Sequence, residues 1–478
     1  MADLSSAYLK IQKLEEKASK QKEVISSLRK NARTDRKTIK RLGESRDSWK
    51  SKNKSKSLTI NSLTKRLSRQ DKAARHHYPM WLVELSSLLR TQCGVSYGQI
   101  CKIIVLLSCC FQLQLNRVPC ANTIQNWVSK WGYYRLNNVG NQLVSNNVCL
   151  LLDESISMGN ERVLLVLACD ADKVSQKALS YEQVHVCYLG SDTGWTSASI
   201  SEKIKELAKS QDWQIEYLLS DGGSNLKKTA DLLKVNHVPD ISHAIAHCLR
   251  KTFEKEEAYQ KFLKLISSYQ SKIVNGKKSY LSPPKQRKKA RFMNQKALIN
   301  WALGLLARYD RLEEKEAIFF QDLSTHQTII NTMKACLELG QVMALMIKEQ
   351  GLNDKSLKAL KKYGQIKKAN PFVQQFQKYL WDYLMVYEEL LNKSERNCFH
   401  ACSDIIESMF GAYKNKKSQN PLVGLSWLGL ELACLGKKPE KNEIKAALEA
   451  NLLTNLKKWL ADNSSESQAS KRREFFNN

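Results

Sequence analysis

Apolar residues recur every seven positions along the first 70 residues, in two rows that share one register. The first row consists of Leu4, Ile11, Ala18, Ile25, Ala32, Ile39, Ile60 and Leu67. The second row, three residues later, consists of Ala7, Leu14, Leu28, Leu42, Trp49 and Leu63. Polar residues interrupt the rows at Gln21, Asp35, Arg46, Asn53 and Lys56. The pattern predicts a long helical arm over 1–76 that pairs as a coiled coil, with an unpaired solvated helix as the alternative.

A helical domain is predicted over 77–140. Apolar residues have helical spacing over 96–111, and a turn that contains proline follows. A short second helix is expected to begin at a cap formed by Asn122 or Thr123. This outline is typical of a helix-turn-helix, whose second helix enters a DNA groove; a small helical bundle is the alternative. The exposed face of that helix would carry Gln125, Asn126, Ser129 and Lys130.

Short runs rich in Val and Leu begin after residue 145 and predict the strands of a buried sheet. Three runs follow one another over 148–155, 162–170 and 184–191, and a fourth lies at 215–221 after a predicted helix. A short strand at 237–240 and a helix from about Ser242 complete this region. Three consecutive strands followed by alternating helices and strands predict a mixed α/β sheet over 145–255.

The rest of the chain has helical patterns. Residues 256–395 lack strand patterns, residues 396–435 contain a helix over 402–416, and residues 436–478 are predicted to hold further helices and a disordered tail from Asp462. A basic loop interrupts the first of these regions, with nine Lys and Arg between Lys272 and Lys296. It is a candidate DNA contact or a plain exposed loop. Its candidate contacts are Lys285, Arg287, Lys288 and Lys289.

Charge is the unusual feature of the composition. The 478 residues include 76 Lys and Arg against 47 Asp and Glu, a formal net charge of +29. Residues 1–76 contribute +14 of this, from 22 basic and 8 acidic residues. Such a surplus favours a polyanionic partner such as double-stranded DNA, with a highly charged surface as the alternative.

Compartment and redox state follow from the remaining composition. The 13 cysteines include no CxxC pair, which favours a reducing compartment, and the cluster of Cys398, His400 and Cys402 lacks a second ligand pair at zinc-site spacing. No secretory signal opens the chain and no apolar run is long enough for a bilayer. We therefore expect a cytoplasmic, nucleoid-associated protein without membrane contact.

Three carboxylates are the best candidates for chemistry. Asp153 and Asp221 each end an apolar strand, and Asp221 is followed by the turn Gly222-Gly223. Open sheets place their sites at such strand ends. Glu407 lies on a predicted helix beside core residues. Acids that converge from different elements can hold two Mg²⁺ or Mn²⁺ ions for phosphodiester cleavage. Five other acids rank lower because none combines a strand end with this order: Glu154, Asp170, Asp172, Asp192 and Asp404.

The order of strands and acids resembles the ribonuclease H-like catalytic domain of DDE transposases. The resemblance covers roughly 78–435 and rests on LLLDES at Asp153, LLSDGGSN at Asp221 and SDIIESMFGAYK at Glu407. It implies an α/β ribonuclease H-like core with a large all-α insertion, because 186 residues separate Asp221 from Glu407. The coiled coil and helix-turn-helix suggest a bacterial insertion-sequence type, and the helical insertion is similar to that of the hAT group.

The resemblance also implies roles for residues around the three acids. Asp240 and His243 match a motif with two intervening residues and would support the active site, as would His247 one turn later. Lys414, seven residues after Glu407, would contact terminal phosphates, with Lys417 nearby. A tryptophan in the insertion assists hairpin formation in the hAT group, and here Trp301 or Trp381 would do so. The chain departs from the family where it lacks a zinc finger and carries His400 and Ser403 in place of a Tyr and an Arg.

The resemblance implies a DNA transposase that binds terminal inverted repeats as a homodimer or higher oligomer, cleaves DNA with metal ions and joins the 3′-hydroxyl ends to target DNA. Two alternatives remain. One is a catalytically idle DNA-binding protein derived from a transposase. The other is a structure-selective nuclease of the same fold.

Overall fold

A computed structural model describes residues 2–67, 71–113, 115, 117–158, 161–173, 178–273, 279–286, 291–364, 370–416, 425–464 and 467–477. The chain divides into two compact units. One consists of residues 1–72 and 79–81, and the other of residues 73–78 and 82–478. Among the described residues, no helix combines the length and the apolar character needed to cross a membrane.

The first unit is dominated by one helix, α1 (Ala2–Leu67), as the heptad pattern predicts. Its length follows from a sequence without proline up to Pro79 and rich in Lys, Arg, Leu and Ser. The described seam side chains are solvent-exposed, for example Leu28 at 60% and Leu42 at 63%. The long helix is therefore confirmed, and its pairing with a second helix stays a prediction.

The second unit is built around a five-stranded mixed sheet. Its strands are β1 (Asn147–Met158), β2 (Glu161–Asp170), β3 (His185–Asp192), β4 (Gln214–Ser220) and β5 (Asn236–Pro239), in the spatial order β3-β2-β1-β4-β5. β1 pairs with β2, and β2 with β3, in antiparallel fashion; β1 pairs with β4, and β4 with β5, in parallel. The mixed sheet that the apolar runs predict is confirmed.

The helices of this unit, in chain order, are α2 (Met80–Thr91), α3 (Tyr97–Phe111), α4 (Ala121–Asn137), α5 (Ser197–Gln211), α6 (Ser224–Leu233), α7 (Ile241–Phe253), α8 (Glu257–Ile273), α9 (Gln295–Leu306), α10 (Glu314–Phe320), α11 (Gln327–Gln350), α12 (Asp354–Tyr363), α13 (Pro371–Lys393), α14 (Asp404–Lys416), α15 (Lys441–Ala450), α16 (Leu453–Asn463) and α17 (Gln468–Asn477). The tail predicted to be disordered is thus helical over α17. Its residues include Lys, Arg and Glu, whose helix propensity favours this conformation.

Alternating residues of the central strands divide the core into two layers. Cys149 and Leu151 belong to the layer that also contains Ile245 of α7 and Ile406 of α14. Leu150 belongs to the opposite layer, with the side chains of α5 and α6. Because successive strand side chains point to opposite faces, α7 and α14 cover one face of the sheet and α5 and α6 the other.

The helical insertion extends from α8 to α13, as the pattern over 256–395 predicts. The structure adds one feature that the pattern misses. A two-residue strand, β6 (Leu352–Asn353), pairs with β7 (Cys398–Phe399). Two residues are too few to show a strand periodicity in the sequence. The pair joins the end of α11 to the segment just before α14.

The predicted helix-turn-helix segment differs from its expectation. α4 begins at Ala121 after Cys120, not after Asn122 or Thr123, and it is 17 residues long. It packs against a 3-10 helix (Trp427–Cys434) and against α15 and α16. Segments 77–140 and 436–478 are therefore packed on each other, and a pattern of nearby residues cannot reveal such a distant partner.

Candidate active site

Asp153 and Asp221 lie where the pairing between β1 and β4 ends. The prediction that Asp153 ends its strand is wrong, because β1 continues to Met158 and Asp153 pairs with Leu165 of β2. β1 and β4 are parallel neighbours, and their last paired residues are Leu152 and Ser220. Asp153 and Asp221 follow these two residues directly. Continuing the alternation from Leu151 and Leu219 directs both carboxylates toward the face covered by α7 and α14. Asp153 is half-buried and Asp221 is exposed.

The turn after β4 fixes the backbone around Asp221. Gly222 adopts φ +77°, a left-handed conformation that glycine enters without steric cost. The backbone N–H of Gly223 donates to Oδ1 of Asp221 at 2.9 Å. The tight turn lets α6 begin at Ser224 while the other carboxylate oxygen of Asp221 stays available.

Glu154, the neighbour of Asp153, is held by other residues. Asn225 Nδ2 donates to its Oε1 at 2.9 Å, and Arg162 lies 3.8 Å from its Oε2. Burial raises the pKa of Glu154, and the charge of Asp221 adds to this effect. Glu154 therefore lies within electrostatic reach of Asp221, while its carboxylate is bound by the α6 side chain.

Glu407 lies on the first turn of α14, which packs against β1. Ile406, Met409 and Phe410 are buried on the inner side of this helix, while the Glu407 side chain is 48% exposed. Partial burial raises the pKa of Glu407; the charges of Asp404 and Asp240 raise it further, and those of His243 and Lys414 oppose this. Burial is thus the largest cause of the raised pKa of Glu407, and the neighbouring charges include two acids and two cations.

His243 connects Glu407 with Asp221. Its Nε2 lies 3.6 Å from Oε1 of Glu407, and its Nδ1 lies 3.1 Å from Oδ1 of Asp240. Burial by itself would lower the pKa of His243, but Asp240, Glu407 and Asp221 outweigh it and raise the pKa to about 9. The imidazole is therefore charged at neutral pH and interacts with acids from β4 and from α14.

Asp240 is the buried support of this arrangement. It caps α7, where its Oδ1 accepts the backbone N–H of His243 at 2.8 Å. Its Oδ2 accepts both the backbone N–H and the hydroxyl of Ser403, the residue just before α14. One carboxylate thus ties the start of α7 to the start of the helix that carries Glu407. The sequence pattern marked Ser403 only as a departure from the family.

The three predicted acids are candidate ligands for a hard divalent cation, but they are not the group that the structure brings closest together. Among the described residues, the group whose potential ligand atoms all lie within 4.8 Å of one another is Asp240, Cys402 and Asp404. Asp153, Asp221 and Glu407 offer carboxylate oxygens, which Mg²⁺ and Mn²⁺ prefer as ligands. The pKa values of Glu407 and Glu154 are both raised, in part by neighbouring acids, so a cation would relieve their repulsion.

A second group of potential metal ligands consists of Asp240, Cys402 and Asp404. Both acids of this group already accept hydrogen bonds. Asp240 accepts from His243 and Ser403, and Asp404 accepts from Lys348 Nζ at 2.7 Å and from Ser242 Oγ at 2.9 Å. The third candidate, Cys402, is buried, and burial raises its pKa. These contacts account for the group as a support of the α7–α14 junction.

The structure separates the predicted DNA contacts into three groups. Lys414 is exposed and acts electrostatically on Glu407, and Lys285 is exposed as well. Gln125 and Asn126 are half-buried. Four predicted contacts lie outside the described residues or carry no described side chain: Arg287, Lys288, Lys289 and Lys417.

Ser129 and Lys130 do not lie on an exposed face, and that expectation is wrong. Ser129 is fully buried and Lys130 is 8% exposed. Lys130 Nζ donates to the carbonyl of Leu448 in α15. Packing of α4 against the C-terminal helices buries both side chains and leaves them unable to reach a DNA groove.

The two tryptophans of the insertion differ in their surroundings. Trp301 is half-buried, its Nε1 donates to the carbonyl of Leu281 at 3.1 Å, and its ring contacts Phe320 edge-on. Trp381 is 36% exposed, and Lys361 Nζ lies 5.6 Å from its ring centre. His247, the third supporting residue, lies one turn beyond His243 and contacts Tyr383.

Comparison with solved structures finds 16 chains that match this one. No family model and no curated protein matches the chain. A solved structure described as the Drosophila P element transposase strand transfer complex is similar over 83% of this chain and 98% of that chain, with 12% sequence identity and a TM-score of 0.40. A similarity this low does not assign the fold or the activity of that protein to this chain, so both are inferred from the residues of this chain.

Proposed function

We propose that this chain is a DDE-type DNA transposase with a ribonuclease H-like core, which binds terminal inverted repeats, cleaves the DNA and joins the 3′-hydroxyl ends to target DNA. The observation that carries the proposal is the position of His243, which interacts with Glu407 at 3.6 Å and electrostatically with Asp221. His243 thereby interacts with acids from two segments that are distant in the sequence, which supports the order of acids that the family resemblance implies.

Asp153, Asp221 and Glu407 are the residues that would hold two Mg²⁺ or Mn²⁺ ions. Bound there, such ions lower the pKa of an attacking water or hydroxyl and stabilise the leaving oxygen. In this proposal the protein supplies the placement of the ligands: Asp153 within β1, Asp221 directly after the parallel neighbour β4, and Glu407 on a helix whose start is bonded to Asp240 through Ser403. Rigid placement of this kind is what catalysis requires of the surrounding shell.

His243 and Lys414 have distinct roles in this proposal. The charged imidazole of His243 orients the Glu407 carboxylate and keeps it ionised, against the acidic neighbours that raise its pKa. Lys414 is exposed about two helical turns beyond Glu407, where an ammonium group can contact a phosphate of the element end.

The partners follow from charge and from α1. A formal net charge of +29 favours double-stranded DNA, and a nucleoid location would be its consequence. The exposed apolar seam of α1 would join two or more copies as a coiled coil, so that two element ends are held together.

The test compares metal-dependent cleavage by three proteins on DNA that spans the gene and its flanks, with Mg²⁺ or Mn²⁺. Asp221→Asn should lose about a thousandfold in cleavage rate, since several kcal/mol of transition-state stabilisation depend on the metal ligands. DNA binding should persist. Asp192→Asn is the matched control, because Asp192 is an exposed acid at the end of β3 whose Oδ1 likewise accepts a backbone N–H two residues later.

Each outcome bears on the proposal. Full cleavage activity of Asp221→Asn would contradict the assignment of Asp221 to the active site. Wild-type protein that binds the DNA yet never cuts it with either metal would favour the catalytically idle DNA-binding protein. Cleavage of branched DNA without any joining of ends would favour the nuclease.

A further inference from the structure

A group of basic residues lies along α7 beyond the candidate active site. His247, Arg250 and Lys251 follow His243 at intervals that keep them on one side of the helix. Lys227 of α6 approaches from the turn after Asp221, where its side chain lies next to Gly222. We call Lys227, His247, Arg250 and Lys251 the α7 basic cluster.

The positive charges of this cluster act on one another. Partial burial lowers the pKa of His247, and Lys251, Arg250 and Lys227 lower it further. Within the described part of the chain, neither Lys227 nor Lys251 forms an ion pair, while Arg250 lies 3.7 Å from Glu254 at the exposed end of α7. On the inner side of α7, the charge of Asp382 acts on Cys248. The cluster therefore keeps a net positive charge.

Side chains of the helical insertion hold the cluster in place. The hydroxyl of Tyr383 lies 2.9 Å from Nδ1 of His247, and Lys251 Nζ lies 5.3 Å from the ring centre of Tyr379. Both tyrosines belong to α13, which packs along α7. Because both tyrosines contact the cluster, we expect a ligand to be bound by the cations and the second imidazole nitrogen of His247. We do not expect bases to stack on the two rings.

Spacing points to an extended anionic ligand. Lys251 lies eight residues beyond His243, which is about 12 Å along a helix. That distance corresponds to about three to four nucleotides of DNA, at about 3.4 Å per nucleotide. A single phosphate ion cannot contact both the site near His243 and the side chain of Lys251, whereas a nucleic-acid backbone that starts at the acids can extend to Lys251.

We propose that the α7 basic cluster binds the phosphodiester backbone of the DNA strand as it leaves the active site. This inference rests on the proposed function, because the acids of the site define where the strand begins. The cluster reads no sequence; it positions the strand so that the cleaved bond lies at the carboxylates.

The test measures DNA affinity against salt concentration, by fluorescence anisotropy with duplex and single-stranded probes of arbitrary sequence. Each lost phosphate contact makes the slope of log K against log salt shallower by about 0.7 to 0.9. Lys227→Gln/Lys251→Gln should therefore reduce the slope by about one and a half to two. The control is Lys205→Gln/Lys209→Gln, two exposed lysines of α5 on the opposite face of the sheet that form no ion pair among the described residues.

The outcomes separate this inference from the proposed function. If the wild type and both double variants have equal slopes and all cleave DNA with metal ions, the cluster does not bind the DNA backbone. The proposal of a transposase would be unaffected by that result. A reduced slope only in Lys227→Gln/Lys251→Gln, without any cleavage by the wild type, would support the cluster and count against the transposase. The same binding assay is run with inorganic phosphate as a competitor at constant ionic strength. If the salt slopes are equal and the variant differs from the wild type only because phosphate no longer competes with the DNA, the cluster binds single anions and does not contact a strand. Thermal unfolding of all variants checks that the fold is intact.

Discussion

Single residues of the candidate site differ in how far the sequence could predict them. Asp153 and Asp221 stand out in the sequence as carboxylates that follow apolar runs, and they directly follow the last residue pair of β1 and β4. Their role as metal ligands stays a prediction, and the continuation of β1 to Met158 was not predicted. Glu407 depended on the family resemblance, since its helix alone marks no special position. Ser403 could not be predicted, because its bond to Asp240 joins residues 163 positions apart.

Asp240 gives a prediction at this scale. In Asp240→Asn, one amide N–H group would face the backbone N–H of Ser403, so a buried donor loses its acceptor. We expect a loss of about 1–3 kcal/mol in the free energy of unfolding. The turn that carries Glu407 should shift as well, with about a 10- to 100-fold loss of metal-dependent cleavage. Urea denaturation and the cleavage assay measure the two effects.

Asp404→Asn is the comparison for stability. Asp404 is partly exposed and pairs with Lys348, so its loss should cost at most about 1 kcal/mol. Equal costs for the two variants would show that the bonds of Asp240 to Ser403 and His243 do not hold the junction of α7 and α14.

At the scale of elements, α4 shows why a local pattern can mislead. Its polar residues suggested an exposed face, yet Ser129, Lys130 and Arg135 are buried against the C-terminal segments. Arg135 pairs with Glu443 of α15 at 2.6 Å. The periodicity predicted a helix and predicted it rightly, but only the distant segment decides which face it buries. The sheet was easier to predict, because its strands are apolar on both faces.

Gly132 gives a prediction for this element. A Cβ at this position would lie 2.0 Å from the carbonyl oxygen of Leu430, so α4 approaches the 3-10 helix too closely for any side chain. Gly132→Ala should therefore destabilise the protein by about 1–3 kcal/mol or more, because backbone must move. The control is Gly98→Ala on α3, where nothing lies within 4 Å of the new Cβ. It should be neutral or stabilising by up to about 1 kcal/mol. Thermal unfolding of both variants decides, and equal melting temperatures would contradict the close packing.

At the scale of the whole molecule, the site depends on segments that are distant in the sequence. α14 packs against β1 although the insertion separates them, and the short pair of β6 and β7 lies directly before α14. Composition favours a polyanionic partner, which stays a prediction, and the heptads predict α1, which the structure contains. Neither could show how residues 396–416 return to the sheet, because that return is made by contacts between side chains of different elements.

The charge of α1 leads to a prediction about the intact chain. Residues 1–76 carry a net charge of +14, so two paired arms repel each other while their apolar seams attract. Salt screens the repulsion, and self-association should therefore strengthen between about 0.05 and 0.5 M salt. DNA binding should weaken over the same range, because fewer counterions are released. Sedimentation equilibrium of the full-length protein, with and without a DNA duplex, measures both trends.

Variants of the seam decide whether the heptads cause this association. Leu28→Lys/Leu42→Lys adds two charges at exposed seam positions of α1 and should abolish the dimer at every salt concentration. Ser27→Lys/Thr34→Lys adds the same charge at positions outside both apolar rows, so its dissociation constant should stay near that of the wild type. A wild type that remains monomeric at 0.5 M salt, or equal constants for the two variants, would show that α1 is a solvated helix. DNA alone would then have to bring two copies together.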